Sequence, residues 1–273
     1  MNESSATDCL VSKVNIEGIP IILIKNLITE VKPIVFIFHK LLMRKEDQLP
    51  LAYNLARRGF FCVLMDMHGH GEREISFDKT MKYEFNELFA DIYKTAADIH
   101  PVIAFLKANY AGKLDFDNMN CVGASIGGSI AAVTGYLRDD IKNIVFMVAI
   151  PCNWENSMNA DSFRTFKFFS KSKQIIDYER MKSDMQKYEP LKYYHQGNFS
   201  HKSMFFLNGQ LDTAMPVETA YQSYQKLKNI LGPHHNIRFK KYPRVGHEVS
   251  NGMLIDLFDW LKEKNERWIE GGQ

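Results

Sequence analysis

Unbroken apolar runs alternate along this chain with stretches of helical period, and that alternation limits the folds open to it more than any other feature. Ile34-Val-Phe-Ile-Phe38 contains no polar residue. Such a run suits a strand covered on both faces, as at the centre of a parallel sheet. Phe60–Met65, Phe116–Val122, Ile144–Ile150, Ser203–Leu207 and Ile237–Tyr242 read as further strands. Helices are expected between them at about 47–58, 84–109, 126–136 and 217–231, with a last one over about 252–264. Gly59 ends the first, as glycine often does at a helix C-terminus. In the second, Phe85, Leu88, Ile92, Ala96, Ile99, Ile103 and Leu106 recur three or four residues apart, and Pro101 should kink or split it. A hairpin is expected first, Leu10–Ile16 and Ile19–Ile24 joined by Glu17-Gly18. Strand-then-helix repetition predicts an α/β fold, a mainly parallel, doubly wound sheet with helices on both faces. Residues 153–198 interrupt it. They lack a strand pattern and are rich in Lys, Phe, Tyr and Met, which predicts a small helical insertion over one end of the sheet.

Composition narrows the class. The chain has 273 residues, 45% hydrophobic and 24% charged, which excludes disordered, collagen-like and coiled-coil chains. Residues 1–273 are expected to form one large domain, burying roughly three quarters of the unfolded chain's surface without a disulfide or metal staple. A net charge of +2 is too small for a dedicated nucleic-acid surface, so no nucleic-acid partner is expected. Cys9, Cys62, Cys121 and Cys152 form no CxxC pair, and buried reduced thiols are the simplest expectation. No apolar stretch approaches the roughly 18 residues of a membrane span. The polar, acidic N-terminus lacks a basic region followed by an apolar core, so the expected location is cytoplasmic.

The chemistry concentrates in Gly123-Ala-Ser125-Ile-Gly127, a Gly-x-Ser-x-Gly pattern set between a strand end and the apolar helix of Ile130-Ala-Ala-Val133. In a nucleophile elbow of this kind, a strained strand-to-helix turn presents the serine Oγ at the carboxyl edge of the sheet, and its neighbours two residues away must be small. The helix N-terminus behind it favours developing negative charge. A serine hydroxyl needs a base. His247, in Arg244-Val-Gly-His-Glu248, follows the last strand and precedes the last helix. Asp212, in Leu207-Asn-Gly-Gln-Leu-Asp-Thr-Ala-Met-Pro216, directly follows a strand, whereas the nearby acids Glu218 and Glu248 do not. The order Ser125, Asp212, His247 is the nucleophile–acid–base order of one particular fold. A tetrahedral intermediate also needs two backbone N–H donors. Ile126 is the expected first, and Leu41, in His39-Lys40-Leu41, the expected second, with Lys40 as its substitute.

On these residues the chain resembles the α/β-hydrolase superfamily. Within it, the chain is similar to the serine esterases related to dienelactone hydrolases and to peptidases of the prolyl oligopeptidase type. The resemblance runs from about Pro33 to Trp260. It rests on His39-Lys40, Asp66-Met-His-Gly-His-Gly-Glu72, Gly123–Gly127, Asn208-Gly-Gln-Leu-Asp212 with Pro216, and Gly246-His247. It implies hydrolysis of small to medium carboxylic esters through an acyl-enzyme, with no cofactor and no metal, and an insertion that caps the pocket. A thioesterase, acyltransferase or peptidase with the same three residues is the alternative, and a catalytically silent binding protein on this scaffold is the next. Two departures stand out. The family usually has His-Gly where this chain has His39-Lys40, and a lysine there would bias the pocket toward acidic substrates. Dienelactone hydrolases proper use cysteine where this chain has Ser125.

Two other signals carry blander expectations. His68-Gly-His70 could ligate a metal, but the motif's continuation is missing, since Glu72-Arg73 stands where an aspartate and a histidine are needed. Phe163, Phe166, Phe168 and Phe169 interleave with Arg164, Lys167, Lys171 and Lys173, which is expected of an amphipathic cap helix more than of a nucleic-acid or membrane surface.

Overall fold

The computed structural model describes residues 8–28, 30–73, 85–157, 177–196, 199, 201–233 and 235–265. Eight strands form one sheet: β1 Cys9–Ile16, β2 Ile19–Asn26, β3 Lys32–Phe38, β4 Phe61–Met65, β5 Leu114–Ala124, β6 Ile141–Met147, β7 Ser203–Gly209 and β8 Ile237–Tyr242. Their spatial order is β1-β2-β4-β3-β5-β6-β7-β8. β1 and β2 are the expected hairpin. Glu17 (φ 52°) and Gly18 (φ 86°) supply the two positive φ values that a two-residue turn of the hairpin hand requires. β2 meets β4 antiparallel, and every later pairing is parallel.

The unbroken apolar runs are explained by two cores. Side chains alternate across a strand, so Phe36 and Phe38 enter one core while Val35 and Ile37 enter the other. On the second face lie α1 (Leu49–Arg57) and the C-terminal helix Asn251–Lys264, through Ala52, Leu55, Leu257 and Leu261. The first face carries α2 (Leu88–Ala97), α3 (Ile99–Tyr110) and α4 (Ile126–Leu137), through Phe89, Ile92, Val102, Leu106 and Ile130. The long helix expected over 84–109 is thus two helices that break at Asp98. Pro101 has no N–H and its ring would strike the carbonyl four residues earlier, so the break falls just ahead of it. Strand boundaries shift as well: β5 runs two residues further at each end than expected, and β6 starts three residues earlier, at Ile141. β6 ends at Met147, three residues before the expected end, because Val148 takes φ 44° and turns the chain out of the sheet. Val148–Ile150 stays buried as a loop, which is why its apolar sequence reads as strand.

The described part of the insertion is helical: α5 (Trp154–Ser157), α6 (Tyr178–Tyr188) and α7 (Pro190–Gln196). The Phe/Lys stretch of 163–173 lies outside the described residues. One carboxylate ties the insertion's two ends together, since Glu189 accepts the backbone N–H groups of Asn153 (2.8 Å), Trp154 (2.7 Å) and Leu191 (3.1 Å). Tyr188 stacks on Tyr93 of α2, and Tyr193 on Tyr136 of α4. Helix α8 (Val217–Leu231) and then α9, the helix Asn251–Lys264, complete the described α-helices. Cys62, Cys121 and Cys152 are buried free thiols, and Cys9 is half-buried. Among the described residues no helix is long and apolar enough to cross a membrane.

β4 lies on one side of β3 and β5 on the other, so the strand order reverses at β3. The crevice at the carboxyl ends of strands flanking such a reversal is where open α/β sheets hold their ligands. Phe38, at the end of β3, pairs with Gly123 near the end of β5.

Candidate active site

Ser125 sits between β5 and α4 with φ 54° and ψ −122°. A non-glycine residue held there stores roughly 1–3 kcal/mol of backbone strain, and such strain gathers at functional sites. The glycines around it are required by space. A Cβ on Gly123 would lie 2.0 Å from the Gly127 carbonyl oxygen, and one on Gly127 would lie 2.4 Å from the Phe38 carbonyl oxygen. The turn is pinned by the Ser125 N–H on the Met147 carbonyl at 2.9 Å.

Two further loops converge on it. Gln210 N–H donates to the Tyr242 carbonyl (2.9 Å) and Leu211 N–H to the Val245 carbonyl (2.8 Å), so the loops after β7 and β8 are laced together. A Cβ on Gly209 would stand 2.4 Å from the Val245 carbonyl oxygen, so only glycine lets them meet. Asp212 Oδ1 accepts the N–H groups of Ala214 (3.0 Å) and Met215 (2.8 Å), and Oδ2 lies 2.9 Å from His247 Nδ1. His247 Nε2 lies 3.0 Å from Ser125 Oγ. An ionised carboxylate only accepts, so Nδ1 carries the hydrogen and Nε2 is left to accept from the serine hydroxyl. Ser125, Asp212 and His247 are therefore in one hydrogen-bonded row. Of the other nearby acids, Glu218 pairs with Lys241 at 2.9 Å.

Ile126 opens α4, where the first N–H groups have no partner within the helix. Leu41 follows β3, the strand beside β5. Its N–H belongs to the Lys40–Leu41 peptide, whose carbonyl accepts from His39 Nδ1 at 2.7 Å. In a trans peptide the N–H points opposite to the carbonyl, so His39 turns the Leu41 N–H away from itself. Sequence reasoning gave His39 no such role and missed Lys45 altogether. The buried Lys45 ammonium bonds Asp66 Oδ2 and Glu72 Oε1, each at 2.6 Å, and its N–H reaches Asp66 Oδ1 at 2.8 Å. This fastens the loop after β3 to the loop after β4. The pairing spans 21 residues and follows no periodicity, so the only hint was Asp66-x-x-x-x-Gly-Glu itself.

His39 is buried, and the Met67 N–H donates to its Nε2 at 3.0 Å, so the neutral ring with hydrogen on Nδ1 fits both contacts. Burial is the main reason its pKa falls from 6.5 to about 4, with nearby His70 adding to it, against the Lys40 carbonyl and Asp66. The unfolded imidazole takes up a proton below about 6.5 while the folded ring stays neutral down to about 4. The resulting stability is present above pH 6.5 and is lost as pH falls toward 4. We expect about 3 kcal/mol of acid destabilisation from this residue alone. Urea unfolding of wild type and His39→Gln at pH 7 and pH 4 checks it, and an equal pH effect in both proteins contradicts it.

Lys40 does not extend free toward a substrate. Its Nζ donates to the His247 carbonyl at 3.2 Å. His68 and His70 are engaged elsewhere: His68 Nε2 lies 2.9 Å from Asp98 Oδ2, and His70 Nδ1 donates to the His68 carbonyl at 3.1 Å. Among the described residues no cluster of three or more His, Cys, Asp or Glu could hold a metal ion.

Comparisons with known proteins bear on the family and the fold. The sequence profile of the prolyl oligopeptidase family matches residues 50–265. A Bacillus subtilis protein named "Putative esterase YitV" is 24% identical over 237 residues, covering 84% of this chain and 88% of its own. In three dimensions the chain resembles TT1662 from Thermus thermophilus (TM-score 0.70, 16% identity, 97% of this chain and 99% of that one). It also resembles acetyl xylan esterase 1 from Thermoanaerobacterium (TM-score 0.66, 16% identity, 94% and 88%).

Proposed function

Since the chain belongs to the prolyl oligopeptidase family and is an esterase-like serine hydrolase of the α/β-hydrolase class, we propose that it cleaves small to medium carboxylic esters through an acyl-enzyme on Ser125. The observation that carries this reading is the row Ser125 Oγ–His247 Nε2 (3.0 Å) and His247 Nδ1–Asp212 Oδ2 (2.9 Å).

The mechanism follows from the atoms in that row. Neutral His247 takes the Ser125 proton as Oγ adds to the ester carbonyl. Asp212 keeps the ring in the tautomer that accepts at Nε2 and stabilises the imidazolium that forms. The negative charge on the former carbonyl oxygen is received by the N–H groups of Ile126 and Leu41. Collapse breaks the ester C–O bond, and the alcohol leaves with the proton from His247. Water, deprotonated by the same ring, then releases the acid and restores Ser125. No step calls for a cofactor. Residues 153–198 act in this reading as the cap that shapes the pocket, within one domain.

A peptidase reading is favoured by one observation, the family match itself. Both readings are tested with p-nitrophenyl esters of increasing acyl length, an aminoacyl amide and an acyl-CoA thioester. The expected result is turnover of short and medium esters, with the amide at least about 100-fold slower in kcat/KM, a margin of roughly 3 kcal/mol. Preference for the amide or the thioester would replace the ester assignment. A fluorophosphonate that fails to label Ser125 would remove the hydrolase mechanism altogether.

A further inference from the structure

We propose that Lys40 is a positioning residue whose side chain fastens the loop of the Leu41 N–H to the loop of His247, so that donor and base are held as one unit. The inference rests on the reading of Ser125 and His247 given above.

Residues 40 and 247 are 207 positions apart, yet the Lys40 ammonium reaches the His247 carbonyl at 3.2 Å. An ionised donor on a carbonyl makes a stronger bond than a neutral pair. Residue 40 is held a second time through its own carbonyl, by His39 Nδ1 at 2.7 Å, and His39 is held by the Met67 N–H at 3.0 Å. The peptide carrying the Leu41 N–H is thus gripped on its carbonyl and, through the Lys40 side chain, from the base's own loop. A continuous run of contacts joins Met67, His39, Lys40, His247 and Asp212 across the loops after β4, β3, β8 and β7. Lys40 is half-buried. Burial lowers its pKa, and the carboxylates of Asp212 and Glu248, the charged groups that face it, oppose that fall and help to retain the cation. An N–H donor acts on the transition state only when it stands about 2.7–3.1 Å from the developing oxyanion. A displacement of about 1 Å costs on the order of 100-fold in rate.

The test compares wild type, Lys40→Met and Lys40→Arg on a neutral p-nitrophenyl ester and on one of similar size bearing a carboxylate. Lys40→Met should lower kcat by about 10- to 100-fold on both esters, with KM little changed and the melting temperature retained. Lys40→Arg keeps a charged donor and should recover most of the loss. On the alkaline side, wild-type kcat should fall as Lys40 loses its proton, and this limb should vanish in Lys40→Arg, whose guanidinium does not deprotonate. Three outcomes overturn the proposal. Lys40→Met could keep the wild-type kcat. It could lose activity only on the anionic ester through KM, which would make the lysine a reader of substrate charge. Or Lys40→Arg could fold normally and remain as slow as Lys40→Met. Ser125→Ala, run alongside, separates the two levels: if it stays active, the underlying reading fails however the Lys40 variants behave.

Discussion

Ser125→Ala should lower kcat for ester hydrolysis by on the order of 10⁶, while leaving the folded state intact. The serine Oγ is the group proposed to form the covalent bond, and no other hydroxyl is hydrogen-bonded to His247 among the described residues. What remains should be the modest acceleration over water from the N–H donors and substrate binding. A variant that keeps more than a few per cent of wild-type activity would sink the assignment. The same position offers a stability readout independent of chemistry. At φ 54° and ψ −122° the backbone suits glycine. Ser125→Gly should therefore melt higher than Ser125→Ala, by roughly 1–2 kcal/mol of released strain. Equal stability of the two would show that the turn is not strained.

The second large effect concerns Asp212. Asp212→Asn preserves size but replaces a pure acceptor with an amide that can donate. His247 Nδ1 then no longer has to carry the hydrogen, and the ring can present an N–H to Ser125 where it must accept. The expected loss in kcat is on the order of 10⁴. Fluorophosphonate labelling of Ser125 should slow in parallel, because it needs the same proton removed. The substitution also meets the backbone amides of Ala214 and Met215, which now donate to Oδ1 at 3.0 and 2.8 Å. The asparagine oxygen can still accept these, so the loop should hold and the loss should be chemical. A kcat within tenfold of wild type would mean that Asp212 does not orient the base.

Residues close in sequence carried most of the legible information. Ile34–Phe38 reads as a doubly covered strand because both of its faces are apolar, and the two cores account for this. The Gly123–Gly127 spacing reads as a tight turn, and a Cβ on either glycine would meet backbone. Where the reading slipped, a local signal was shared by two structures. Val148–Ile150 is apolar and buried, but as a loop that leaves the sheet at a positive φ. Pro101 announced a break without saying on which side of it the helix would end.

The sequence by itself determined the type and order of the elements and the identity of the glycines at the elbow, because hydrophobic period, turn stereochemistry and the size of a Cβ act within a few residues. Only the tertiary structure decided that Ser125, Asp212 and His247 share one row of hydrogen bonds, that Lys45 closes on Asp66, and that Lys40 reaches back to His247. These contacts join residues 21 to 207 positions apart. Their geometry is set by the order and register in which the strands pair, which no short stretch of sequence specifies.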